Sequence, residues 1–143
     1  MLTSDIHPNK QLPDAIKYLY QIHAYLNDLS IIDSKLYHLI LLRASQINGC
    51  AFCIKMHISE ALKNGEEQQR LDQLIIWQHS DKYSAEEKVA FAWVEALTRL
   101  HPQTNYAVLR LALSEYFNEQ QISALTLLTS MINLWNRIGI AQH

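Results

Sequence analysis

Cys50 and Cys53 are the only cysteines of this 143-residue chain, and His57 follows the second at a spacing of four. Two thiols this close can close a disulfide on oxidation, and an imidazole beside them can take up or return a proton. Asn48-Gly49 stands just before the pair and reads as a helix stop, because glycine accepts the left-handed backbone of a helix C-terminus. Residues through Ala61, Leu62 and Lys63 then carry no helix breaker. Cys50 is therefore expected in the first turn of a new helix and Cys53 one turn further in. At about 100° per residue, Cys50 and Cys53 lie about 60° apart, and Cys53 and His57 about 40°, so all three share one face. The unpaired N–H groups and positive dipole end of a helix start favour a thiolate there. That is a setting for thiol chemistry.

The rest of the chain reads as its scaffold. Nearly half the residues are apolar, while Gly and Pro number only three each. Such a chain can bury a core without staples and favours long helices over strands. The net charge of −2 shows no basic excess, so nucleic acid is not an expected partner. The first residues lack the apolar core of a signal peptide. The uncharged run 120–136 is too polar and too short for a membrane span. A cytoplasmic location with no membrane partner follows as the expectation. In a reducing compartment a Cys-x-x-Cys pair points to redox or metal chemistry before a structural bridge.

The apolar spacing predicts an all-α, single-domain bundle of about seven helices, with its core over residues 13–141 and a loose lead-in over 1–12. Pro13-Asp14 opens the first helix, with Ile16, Leu19, Tyr20, His23 and Leu26 in register. Asp33 is a candidate N-cap for the second. There Leu36, Ile40, Arg43, Ala44 and Ile47 form one face and His38, Leu41, Leu42 and Ser45 another, which predicts a largely buried helix. The cysteine helix ends near Asn64-Gly65, and 67–78 reads as a short helix. Ser84 to Glu87 form a capping box, and the helix it opens is expected to stop at His101-Pro102. Two further helices are expected at 104–116 and 119–141. The last is apolar nearly all round, which predicts a homo-oligomer.

The run Leu-Arg-Ala-Ser-Gln-Ile-Asn-Gly-Cys-Ala-Phe-Cys-Ile-Lys-Met-His (42–57) resembles the core motif of the alkylhydroperoxidase D-like group within the carboxymuconolactone decarboxylase family. The segments 64–71 (NGEEQQRL), 92–100 (AWVEALTRL) and 132–141 (INLWNRIGIA) are similar to that group in the same order. The resemblance implies an all-helical fold that assembles as trimers or hexamers. It also implies a peroxidase or disulfide reductase of antioxidant defence that needs no cofactor. A small-molecule peroxide would be its substrate, and a thiol or dithiol its reductant. By motif position, Cys53 resembles the peroxidatic cysteine, Cys50 its resolving partner and proton donor, and His57 the relay histidine. Two positions depart from the pattern. His38 stands where the best-studied peroxidases have a glutamate, twelve residues before the first cysteine, and Phe52 where some have a histidine.

A straight helix would hold His38 about 18 Å from Cys50. A chain reversal at Asn48-Gly49 instead sets His57 opposite residues 40–41, within a turn of His38, and makes His38 a fourth site candidate. Two other readings stay open. His38, Cys50, Cys53 and His57 could make a Cys2His2 metal set, although a cysteine pair and a histidine on one helix give cramped tetrahedral geometry. The chain could also be a non-enzymatic redox-sensing or assembly module. His7, His23, His79, His101 and His143 are scattered and expected to be solvated or structural. Trp77, Trp93 and Trp135 are expected as packing residues. Glu95 and Arg137 are expected to pair with polar partners in the core or at a subunit contact, and Phe52 to wall the site or an interface.

Overall fold

Every regular element among the described residues is helical, as the scarcity of Gly and Pro requires. The computed structural model describes residues 6–143. Helix α1 (Pro8–Gln11) is a single turn inside the expected lead-in, with Pro at its start, and leads into α2 (Pro13–Asp28). Then come α3 (Ser34–Asn48), α4 (Ala51–Lys63), α5 (Gln68–Gln73), a 3-10 turn (Leu74–His79), α6 (Ala85–Arg99), α7 (Tyr106–Ser114) and α8 (Glu119–Gln142). The count exceeds seven because α1 is present and because the segment 67–78 divides. Ile76 leaves helical geometry and tightens the second half of that segment into the 3-10 turn. Residues 1–5 of the lead-in lie outside the described residues.

Helix α3 is the central strut and packs against α4, α6 and α8. Its start is fixed by Asp33, whose carboxylate accepts from the N–H groups of Lys35 and Leu36 at 3.1 and 3.2 Å. Leu39, Ile40, Leu42 and Ala44 are fully buried, so apolar side chains surround the helix rather than lining one stripe. Phe91 and Val94 of α6, Leu113 of α7 and Leu125 of α8 close the core around it. The capping box at the start of α6 is present, with Glu87 N–H donating to Ser84 Oγ at 3.1 Å and Ser84 N–H to Glu87 Oε1 at 2.9 Å. Helix α6 stops at Arg99, before His101-Pro102. Leu100 already takes a left-handed φ of 53°, and its N–H makes the last bond to the Ala96 carbonyl.

The polar residues of the core also position the site. Asn136 of α8 is fully buried, donates to Ser45 Oγ and accepts from Asn48 Nδ2, both at 2.9 Å. Asn48 also donates to Asn133 Oδ1 at 2.9 Å, and Asn133 donates to Thr98 Oγ1 at 3.0 Å. These bonds tie the end of α3 to α8 and α6, directly beside the turn that leads to the cysteines. Arg137, by contrast, is exposed and bonds Asn133 of its own helix, so it does not pair in the core. Glu95 does pair in the core, with Arg43.

Candidate active site at the start of the cysteine helix

The reversal between α3 and α4 takes only two residues outside the helices, Gly49 and Cys50. Gly49 adopts φ +67°, its N–H bonds the Gln46 carbonyl, and Cys50 N–H bonds the Ser45 carbonyl, both at 3.2 Å. This paired closure of a helix end needs the left-handed residue that glycine supplies without a Cβ penalty. The chain turns back at once: at the far end of α4, Asn64 Nδ2 donates to Ser34 Oγ at the start of α3, at 3.0 Å. The expected hairpin is therefore present. Cys50 sits one position earlier than expected, as the N-cap of α4 rather than in its first turn. Its sulfur accepts from Cys53 N–H at 3.3 Å.

Cys50 and Cys53 form a disulfide with their Cα atoms 5.2 Å apart. The buried residues of α4 are Cys53, His57 and Ala61, at spacings of four, so cysteine and histidine share the stripe that faces the bundle. Helix α8 closes over the sulfurs at Gly139. A Cβ there would stand 3.0 Å from Cys53 Sγ and 3.1 Å from Cys50 Sγ. The close approach is therefore open to glycine alone.

Beside the disulfide lies a cavity of about 730 Å3 walled by α2, α3, α4 and α8. Cys53, His57 and His38 all face it, whereas Cys50 is not part of its wall. Of the four expected site residues the fold thus brings three to one cavity and places the fourth, bonded to Cys53, beneath it. Tyr20 stacks on Trp135 with ring centroids 4.9 Å apart, and His23 meets the same indole edge-on at 6.3 Å. Phe52 forms part of the wall and stacks on His143 at 4.5 Å.

Three buried side-chain atoms lack a hydrogen-bond partner among the described residues: His38 Nδ1, His57 Nε2 and Trp135 Nε1. All three belong to residues of this one cavity. Buried polar groups are otherwise paired almost without exception, so this concentration sets the cavity apart from the rest of the core. His57 Nδ1 has a partner, Glu60 Oε2 at 3.1 Å. Burial holds His57 below the ordinary histidine value, against the raising pull of Glu60, and His38 and His23 add repulsion. His38 and His23 are lowered too, each mainly by burial and each against Glu60. Burial and the Glu60 charge push the Tyr37 phenol up to about 12. At neutral pH the site therefore holds neutral imidazoles and a neutral phenol around one carboxylate.

Several of these residues escaped the sequence. Glu60 carried one usable signal, its place three residues after His57 on the same helix. His23 is a half-buried wall residue and the exposed His143 also borders the cavity, while Trp135 packs against the core as expected and lines the cavity as well. Only the long-range approach of α2 and α8 brings them in. The structure lends the Cys2His2 reading no support: the sulfurs are bonded to each other, and among the described residues no three His, Cys, Asp or Glu side chains are grouped to hold a metal ion.

Fold and site together define an all-helical protein with a Cys-x-x-Cys disulfide at a helix start, set against a cavity with buried histidines. The model of the carboxymuconolactone decarboxylase family matches residues 13–96, and the chain belongs to that family. The uncharacterized protein YdfG of Bacillus subtilis (strain 168) is 40% identical over 130 residues, 91% of this chain and 88% of the relative. A protein of unknown function from Agrobacterium tumefaciens, provisionally described as the antioxidant defence protein AhpD, superposes with a TM-score of 0.88. Its identity is 32%, with 95% of this chain and 92% of that one covered. The debrominase Bmp8 shares the fold at a TM-score of 0.81 and 19% identity, over 91% of this chain and 69% of its own. No helix among the described residues is long and apolar enough to cross a membrane.

Proposed function

We propose that this protein is a thiol peroxidase of antioxidant defence that cycles through the Cys50–Cys53 disulfide, with an organic hydroperoxide as oxidant and a dithiol as reductant. The observation that carries the reading is the placing of Cys53 on the wall of a cavity with the unpartnered His57 Nε2, while Cys50 lies bonded behind it. The provisional description of the Agrobacterium relative points the same way. In the reduced protein His57 Nε2 takes the Cys53 proton. The thiolate attacks the outer peroxide oxygen, the O–O bond breaks, and the alkoxide leaves as an alcohol with that proton. Cys53 is then a sulfenic acid. The Cys50 thiolate attacks its sulfur, the S–O bond breaks, and hydroxide leaves as water with the proton given up by Cys50. Two electrons from a dithiol restore both thiols by exchange through a mixed disulfide.

The cavity favours an organic substrate over hydrogen peroxide. Its volume and its wall of Tyr20, Phe52, Met56 and Trp135 suit an apolar body, and its polar atoms sit at the sulfur end. A homo-oligomer is part of the same proposal. Tyr18, Ile22 and Tyr25 of α2 and Leu127 and Ile140 of α8 are half to two-thirds exposed, more apolar surface than a lone chain of 16.6 kDa ordinarily shows to water. Light scattering is expected to give a mass several times that of the chain.

The deciding experiment counts free thiols on the reduced protein before and after a stoichiometric amount of cumene hydroperoxide, then after excess dithiothreitol. Both thiols are expected to disappear together, to return, and to do so repeatedly while hydroperoxide is consumed. Thiols that oxidise and recover without sustained hydroperoxide consumption would replace the enzyme with a redox-sensing module.

A further inference from the structure

His57 is the proposed base of the site, and its own side chain is almost wholly buried. A base in such a place needs its tautomer fixed and its proton led away. The family pattern supplies a glutamate at position 38, but this chain has His38 there. A carboxylate reaches His57 from elsewhere. Glu60, one turn further along α4, brings Oε2 to 3.1 Å from His57 Nδ1. The His57 side chain is 4% exposed and that of Glu60 44% exposed. One end of the pair is therefore in the site and the other in solvent.

We propose that Glu60 is the positioning residue of this site: it holds the His57 hydrogen on Nδ1, leaves Nε2 as a bare acceptor beside Cys53, and conducts the proton between His57 and bulk water. The inference rests on the thiol chemistry proposed above, but its geometry is independent of any substrate. A carboxylate accepts and never donates when ionised, so its partner nitrogen must carry the hydrogen. Nε2 is then forced to be the lone-pair nitrogen, which fits its lack of any partner among the described residues. When Nε2 takes the Cys53 proton, the imidazolium is stabilised by the carboxylate on its other side. Where no alkoxide takes that proton back, as in alkylation of Cys53, the Nδ1 proton passes to Glu60 and to water. The arrangement moves the carboxylate from the helix before the cysteines to the helix that carries them.

The titratable groups facing His57 set the controls. Helix α2 presents Tyr20 and His23, and α3 presents Tyr37 and His38. Helix α4 itself adds Cys53, Glu60 and Lys63. No titratable side chain of α8 lines the wall, but His143, the residue after α8, does. Of these only Glu60 both touches His57 and opens to solvent.

Two measurements on the reduced protein test the proposal without a peroxide. Long-range nitrogen–proton NMR of the His57 ring reports the tautomer, and the rate of Cys53 alkylation by iodoacetamide against pH reports the base. The wild type is expected to show the Nδ1-H form. Glu60→Gln keeps an acceptor and is expected to keep that form, while Glu60→Ala is expected to mix the two. In both variants the acidic limb of the alkylation profile is expected to move to lower pH, because the charge that favours imidazolium is gone. The rate at neutral pH is expected to fall about tenfold in Glu60→Ala and less in Glu60→Gln. Because Glu60 is half exposed, both variants should fold, and a thermal melt verifies it. An Nε2-H tautomer in the wild type, or an unmoved acidic limb in Glu60→Ala, would overturn the proposal. Normal tautomer and alkylation results with no hydroperoxide consumption would instead overturn the peroxidase reading and leave Glu60 in place.

Discussion

Two groups of buried polar side chains border α3, and they differ in how completely they are satisfied. Toward α6, Arg43 donates from Nε to Glu95 Oε1 at 2.7 Å and from a terminal nitrogen to Gln46 at 3.1 Å. Glu95 also receives Trp77 Nε1 at 3.1 Å and Gln78 Nε2 at 3.3 Å. Toward α4, His38, His57 and Trp135 each keep a buried nitrogen without a partner. Every charged group of the first set is paired within the protein, so it fixes the fold. The second holds capacity in reserve at a cost in stability, and such a cost is tolerated where a guest or a proton arrives. Paired polar groups on one border and unpaired ones on the other separate scaffold from site within a single helix.

The largest way to break that contrast is at the sulfur. Cys53→Ser is expected to reduce hydroperoxide turnover by on the order of a hundredfold or more, to background. The melt of the reduced variant should match that of the reduced wild type. Turnover surviving in Cys53→Ser would move the chemistry off the cavity wall. On the scaffold border, Glu95→Ala strands a buried guanidinium and is expected to destabilise the protein by about 3 kcal/mol. Its Tm should fall by about 10 °C, while the disulfide still forms and reduces at the wild-type rate. A redox defect in folded Glu95→Ala would show that the two borders are not separate. Gly139→Ala lies where they meet. The new methyl would press on both sulfurs, and the expected loss is about 1–2 kcal/mol in the oxidised protein, read as a lower Tm.

The sequence exposed the local parts of this arrangement and hid the parts made by distant helices. Gly49, the capping box of Ser84 and Glu87 and the burial of α3 were all legible, since each follows from residues within a turn or two of one another. The pairing of Cys50, Cys53 and His57 on one face followed from helical spacing alone. His38 was placed near them only through the inferred reversal, which Gly49 supplies. Trp135, His23 and Gly139 could not be read this way: they reach the site across the bundle, on α2 and α8. The partner of Glu95 was hidden for the same reason, since Arg43 lies 52 residues away. Arg137 lies outside the core because an apolar neighbourhood in sequence is no guide to which face of α8 meets the bundle. The stop of α6 at Arg99 was missed because a leucine rarely takes the left-handed backbone of Leu100.

The smallest expected effect separates the two borders by pH. His23, His38 and His57 are each held below the usual value of 6.5, chiefly by burial. The unfolded chain takes up protons at these positions near pH 6.5, and the folded one resists until its own lowered values are reached. Their contribution to stability is therefore complete above about pH 6.5 and is lost as pH falls through the folded values. Glu87, at the start of α6, belongs to neither group and titrates at lower pH. Burial alone would raise Glu87, but its bonds to Arg70 and Ser84 outweigh that and hold it below 4.5, so its share is lost only at more acid pH. Between about pH 7 and about pH 5 the slope of stability thus belongs to the cavity histidines, each adding at most about 1.4 kcal/mol per pH unit. His57→Gln removes one of those protons and should flatten the fall in Tm over that interval, whereas Glu95→Ala should lower the whole curve without changing its slope. Equal slopes in the wild type and His57→Gln would mean that folding leaves the His57 proton equilibrium unshifted, and a steeper fall in His57→Gln would mean that His57 is already charged in the folded protein at pH 7; in the second case the bare Nε2 on which the site depends would be lost.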